Sequence, residues 1–308
     1  MKLKRNNIVK KYKWLTDKNQ QFIISCNYDG IICASFLKHY LNWELVGYYD
    51  YNSIWLSNAA VENRNKIIWV DLNILPETGK SIGGHIVSIN KDLPKGFLSS
   101  CNPNVVMNLT YKDFKNKFPF STLIFLMWLH NIKITNNAIG KLFILHSDNS
   151  WMKIQKYSNN IRDWTNILSE YDWSFLKNID SIEFEKKIDQ YLYPKLITIG
   201  AASNFSKLKS NHLNIRSRES NINPDWDSDI ILKLFSIFGQ NLGWTLPTLP
   251  IITKRVDGLR RKIELSKVID MGIHKFISKY KVFSYAITSP KIISYTVFKK
   301  YESSRSYK

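Results

Sequence analysis

The sequence predicts an α/β fold: a mostly parallel, doubly wound sheet followed by a smaller C-terminal α+β domain. Three observations carry that reading. Between residues 20 and 150, apolar runs of strand length alternate with helical patterns, the signature of βαβ units. Acidic or polar residues follow directly on those runs, where loops leave the carboxyl edge of a parallel sheet. With 308 residues, 44% hydrophobic and 14% aromatic, the chain is long and apolar enough for two domains whose cores need no disulfide.

Residues 1–19 form a basic segment, with Lys2, Lys4, Arg5, Lys10, Lys11 and Lys13 and no apolar run of signal-peptide length, so secretion is not expected. The first domain covers 20–165. In it, 21–26 reads as a buried strand and 30–42 as a helix with Ile31, Ile32, Phe36, Leu37, Tyr40 and Leu41 apolar. Residues 44–49, 66–70, 86–89 and 141–146 read as further strands, and 121–131 as a helix. A connector over 166–229 starts with helical patterns at 161–168 and 183–191. It continues as a polar stretch from 203, with Lys207, Lys209, Arg216 and Arg218 among many Ser and Asn residues. The last domain, 230–308, reads as a helix over 257–280 and strands at 282–287 and 292–298, hinged at Ser289-Pro290.

Lys and Arg total 44 against 25 Asp and Glu, a formal charge of +19, which favours a polyanionic partner through counterion release. A lysine-rich solubilising surface is the alternative. The three cysteines, Cys26, Cys33 and Cys101, form no CxxC pair and suggest a reducing, cytoplasmic setting. The apolar stretches 123–129 and 230–252 are too short or too interrupted to span a bilayer, and no membrane partner is expected.

The residues after each expected strand are Asn27-Tyr28-Asp29-Gly30, then Asp71, then Ser147-Asp148-Asn149-Ser150. Each aspartate alone also reads as a helix cap or an Asx-turn. Together, at three strand ends, they read as a site.

These residues carry a resemblance to the DHH phosphoesterases (the RecJ-like and oligoribonuclease-like enzymes), with degenerate motifs. The family's opening D-x-D-G-type motif after a strand is matched by Asn27-Tyr28-Asp29-Gly30, and its strand-ending aspartate by Asp71 in Ile68-Trp69-Val70-Asp71. Gly83-Gly84-His85 stands where the family has Asp-His-His, and His146-Ser147-Asp148-Asn149-Ser150-Trp151 resembles the fourth motif. The likeness spans about half the chain, 20–155. It implies manganese or magnesium, reduced to one ion because Asn27 replaces a liganding aspartate. The implied ligands are Asp29, Asp71, His85 and Asp148, with Asp71 and His85 catalytic; His85 would alternatively face a substrate phosphate. Cys33 stands where the family often has serine and reads as a small core residue.

In the C-terminal half, Lys254, Arg255, Arg260, Arg261 and Lys262 cluster at the start of the expected helix 257–280, a place suited to phosphate or nucleic acid. A solvated helix face is the alternative. Phe283, Tyr285 and Tyr295 read as stacking platforms for bases or as strand core. The resemblance implies a metal-dependent phosphodiesterase, a hydrolase acting as nuclease or on nucleotides. The rival is an inactive DHH-like fold that binds nucleic acid or a protein partner.

Overall fold

The run Phe22-Ile23-Ile24 is fully buried, as a strand covered on both faces must be, and it forms β1 (Gln21–Ser25) in the interior of the sheet. β1 pairs in parallel with β2 (Glu44–Tyr49) and with β4 (Ile68–Val70), and β4 pairs in parallel with β5 (Lys80–Ile82). The computed structural model describes residues 2–75, 79–90, 92–134, 137–150, 153, 156–177, 180–201 and 222–298.

Seven α-helices precede residue 150 among the described residues: α1 (Arg5–Lys11), α2 (Tyr28–Leu41), α3 (Asn58–Glu62), α4 (Lys95–Leu98), α5 (Pro103–Val106), α6 (Thr122–Leu129) and α7 (Ala138–His146). α2 starts where Asn27 Oδ1 accepts the Gly30 N–H at 2.8 Å, and stops at Asn42, whose left-handed backbone turns the chain into β2. Gly30 is required: a Cβ there would lie 2.2 Å from the Ser25 carbonyl oxygen, so only glycine lets the helix begin against the end of β1.

The sheet has eight strands in the order β5-β4-β1-β2-β3-β6-β8-β7. β3 (Ser53–Ser57) returns antiparallel to β2 through a turn in which Asp50 Oδ1 accepts the Asn52 and Ser53 N–H groups. β6 (Ile252–Glu264) pairs antiparallel with β3 over its first half and with β8 (Ile292–Phe298) over its second, and β7 (Val282–Ser289) closes the order. Gly258 marks the change of partner, where a Cβ would meet the Phe298 ring at 2.7 Å.

The sheet is therefore mixed. Its β4-β1-β2 portion is parallel as expected, and β5, which is not among the expected strands, extends it in parallel, but the antiparallel β3 and the pairing of β3 with β6 correct the mostly parallel reading. Residues 141–146 are helical, not a strand. A continuous apolar run does not distinguish a buried helix from a buried strand, and Asn137 decides the matter by capping the Ile139 and Gly140 N–H groups. The expected helix over 257–280 is also corrected: β6 runs to Glu264, and two helices follow, Leu265–Met271 and Ile273–Tyr280, broken at Gly272 with φ +85°. Strand partners on both sides outweigh a local pattern that suits a helix. Residues 86–89 contribute only a bridge from Ile86 to Ile287.

The strands expected at 282–287 and 292–298 are present, as are helices at Ser158–Ile167 and Ser181–Lys187. Of the polar stretch, Lys207, Lys209, Arg216 and Arg218 lie outside the described residues, as does Trp151.

One face of β1 and its neighbours packs under α2, α6, α7 and the helix Ser228–Leu242; Phe22, Phe36, Phe143 and Phe238 are fully buried there. Ile23, Tyr49 and Trp69 form a core on the other face. A third cluster joins Ile86, Val87 and Phe97 to Phe276, Tyr285, Ile287 and Tyr295. Tyr285 and Tyr295 are thus core side chains, 3% and 5% exposed. Cys33 is completely buried, and burial pushes its thiol pKa well up, as befits a packing residue. Among the described residues no helix is long and apolar enough to cross a membrane.

Candidate functional site

Four chain segments bring the expected side chains together. Asp29 sits in the first turn of α2, Asp71 follows β4, His85 lies beyond β5, and Asp148 stands in the short 3-10 turn Ser147–Asn149 after α7. All four line one cavity of about 240 Å³, with Asn27, Gly84, Lys117, Phe118, Thr122 and Lys153. Asp148 arrives at a helix end, not at the strand end expected. Asp71 and Asp148 both hold left-handed backbone, φ +61° and +47°, a conformation that aspartate tolerates better than most residues.

Asp29, 2% exposed, does not cap its own helix; it caps α6. Its carboxylate accepts the Thr122 N–H at 2.8 Å, the Leu123 N–H at 3.2 Å and the Ser147 hydroxyl at 2.6 Å. Ser121 Oγ takes the Ile124 N–H, so Asp29 and Ser121 together satisfy the orphan donors of that first turn. Asp71 is engaged through both oxygens: Oδ2 accepts from Ser25 Oγ at 2.6 Å and Asn27 Nδ2 at 2.9 Å, and Oδ1 from Thr122 Oγ1 at 2.8 Å. Asp148 is ion-paired through Oδ2 to Lys153 Nζ.

The charges act on one another. Burial, then the charge of Asp148, raises the Asp29 pKa; burial, then Asp29, pushes Asp71 up to about 7. His85 is lowered by burial and by Lys117, against the pull of Asp148 and Asp71, which favours the neutral imidazole. The ammonium of Lys117 is lowered by burial and by Lys153, again against Asp148.

Three asparagines hold the Gly83-Gly84-His85 segment. Asn104 Nδ2 donates to the Gly84 carbonyl at 2.7 Å, Asn102 Nδ2 donates to the His85 carbonyl at 2.8 Å, and Asn73 Oδ1 accepts from Asn102 Nδ2. The reading from sequence missed these, along with Ser25, Lys117, Thr122, Ser147 and Lys153. Asn102-Pro103-Asn104, an N-cap followed by proline at the first helical position, was the available signal for α5. Nothing local marks Lys117, whose place comes from packing across distant segments, whereas Lys153 stands only five residues from its partner Asp148.

A second cavity, of about 220 Å³, shares Asn27, His85 and Asp148 with the first and is lined also by Tyr51, Arg260, Ser284 and Thr296. Arg260 lies with its guanidinium carbon 5.0 Å from the Tyr51 ring centre, and its Nε donates to Ser294 Oγ at 3.0 Å. A larger cleft of about 370 Å³, between Lys38 and Pro250, shares none of these residues.

The cationic stretch is a strand and has no helix N-terminus to offer a phosphate, which corrects the expected geometry. With side chains alternating along β6, Lys254, Arg260 and Lys262 fall on one side and Arg255 and Arg261 on the other. Arg255 is used internally: it lies over Trp55 and pairs with Asp225 and Asp257.

Whether these side chains suit a divalent ion can be tested on their geometry. Among the described residues, no group of three or more His, Cys, Asp or Glu side chains is arranged to hold one metal ion. The oxygens of Asp29 and Asp71 point at protein donors, and Asp148 at an ammonium. Compared with protein-family models, curated proteins and solved structures, the chain has no match in any of the three.

Proposed function

We propose that this chain is a DHH-like fold that recognises a phosphate-bearing ligand, a nucleotide or a nucleic-acid strand, without metal-dependent hydrolysis. One observation carries the reading. The three carboxylates that the resemblance assigns to metal binding are each engaged by a donor of the chain itself, while His85, Lys117 and Lys153 sit on the walls of the same cavity and Arg260 on the adjoining one. Ammonium and guanidinium groups recognise phosphate by charge and hydrogen bonding without an ion between them. The net charge of +19 supports the same class of partner.

The second reading is the phosphodiesterase. What favours it is the meeting of Asp29, Asp71, His85 and Asp148 on one cavity. Calorimetry with nucleoside mono- and diphosphates and short single strands, with and without manganese, beside a hydrolysis assay on the same ligands, separates the two. Binding that is equal with and without manganese, with no turnover, is the expected result. Manganese-dependent turnover that Asp71→Asn reduces by at least about a hundredfold would replace the binding reading with the hydrolase.

A further inference from the structure

Three aspartates around one small cavity repel one another, and a folded chain that keeps them needs a counter-charge there. Metalloenzymes draw it from solution. In this chain an ammonium is already in place: Lys153 Nζ is ion-paired to Asp148 Oδ2, and Lys117 lines the same cavity. The pair lies at the mouth of the cavity, the two side chains being 28% and 43% exposed.

We infer that Lys153 is a built-in cation, whose ammonium takes the Asp148 carboxylate that a divalent ion at this cluster would need, and thereby closes the site to metals. The chemistry of the two kinds of cation makes them exclusive. A magnesium-type ion needs carboxylate oxygens turned toward one point at about 2.0–2.1 Å and several waters around it. An ammonium asks only for acceptors at hydrogen-bond distance, in no fixed number or angle. Asp29 and Asp71 are accordingly free to serve as acceptors for α6, Ser25 and Asn27, which their geometry shows them doing. A tethered positive charge beside Asp148 also repels any second cation, and it does so at every metal concentration. Binding of an anionic ligand would then be insensitive to magnesium or manganese, since the counter-charge travels with the fold.

The inference rests on the non-metal reading of the cluster given above, and not on which ligand occupies the cavity. Its test uses the full chain with manganese alone as the probe, by calorimetry and by the electron paramagnetic resonance signal of the free ion. Wild type and Lys153→Arg, which keeps the charge, are expected to bind manganese weakly. Lys153→Met is expected to bind it at least tenfold more tightly, and adding Asp148→Asn to that variant should return the affinity to the wild-type level. Circular dichroism confirms that each variant is folded, with Lys153→Gln as the second neutral variant. Tight manganese binding by the wild type would overturn the inference, as would folded Met and Gln variants that gain nothing. A failure of the wild type to bind any phosphate ligand would instead remove the proposed function and leave this inference standing, because the ion is the only probe here.

Discussion

Replacing Asp29 by alanine separates a structural carboxylate from one kept for a ligand, because the two roles give stability changes of opposite sign. In the fold, Asp29 takes two backbone N–H groups at the start of α6 and the Ser147 hydroxyl, all buried. Alanine leaves those donors without acceptors, and each unsatisfied buried donor costs about 1–3 kcal/mol. It also removes a negative charge from the positive end of the α6 dipole, worth about 0.3–2 kcal/mol. Against this stands relief: the Asp29 pKa is raised by burial and by Asp148, so the folded chain carries that charge reluctantly. The net expectation is a loss of about 3 kcal/mol for Asp29→Ala and roughly half that for Asp29→Asn, whose amide oxygen still accepts. Urea unfolding at neutral pH followed by circular dichroism reads both, provided the slopes agree. An alanine variant within about 0.5 kcal/mol of wild type, or more stable than it, would refute the capping role. That is the behaviour of a clustered acid whose removal only relieves repulsion.

His146 is buried, with no partner on Nδ1, and burial pushes its pKa down to about 4. The unfolded imidazole, at about 6.5, binds protons more readily, so its contribution is complete above pH 6.5 and lost as pH falls toward 4, by roughly 3 kcal/mol; His146→Phe should lower the acid-unfolding midpoint, and an unchanged midpoint contradicts the assignment. Gly30→Ala would place a methyl 2.2 Å from the Ser25 carbonyl, and a loss above about 3 kcal/mol or insoluble protein is expected; a melting temperature equal to wild type would show that α2 can shift. For anion recognition, Lys117→Ala and Arg260→Ala are each expected to weaken phosphate-ligand affinity about tenfold and to flatten its salt dependence by about one contact. Arg255→Ala should leave that affinity unchanged, since Asp225, Asp257 and Trp55 already hold its guanidinium; titrations at two salt concentrations decide among the three.

What the sequence determined by itself was local. Phe22-Ile23-Ile24 read as a buried strand, Asn27 and Gly30 wrote the start of α2, and the aspartates after β1 and β4 stood where a parallel sheet gathers side chains. The tertiary structure decided everything that depends on a partner. Residues 141–146 became a helix packed against α2 and the helix Ser228–Leu242, since an apolar run has no period of its own and the one local signal was the Asn137 cap. Lys254 to Lys262 became a strand because β3 and β8 offer backbone partners on its two sides, and that pairing scattered five cations over two faces. The same holds for the site. That Asp29 belongs to α6, 93 residues away along the chain, follows from packing between segments whose sequences carry no mark of each other, whereas the ammonium that Asp148 meets comes from Lys153, five residues further on. Hydrogen bonds and ion pairs reach only a few ångströms, so a residue's chemical role is fixed by its neighbours in space, and a single sequence records only its neighbours along the chain.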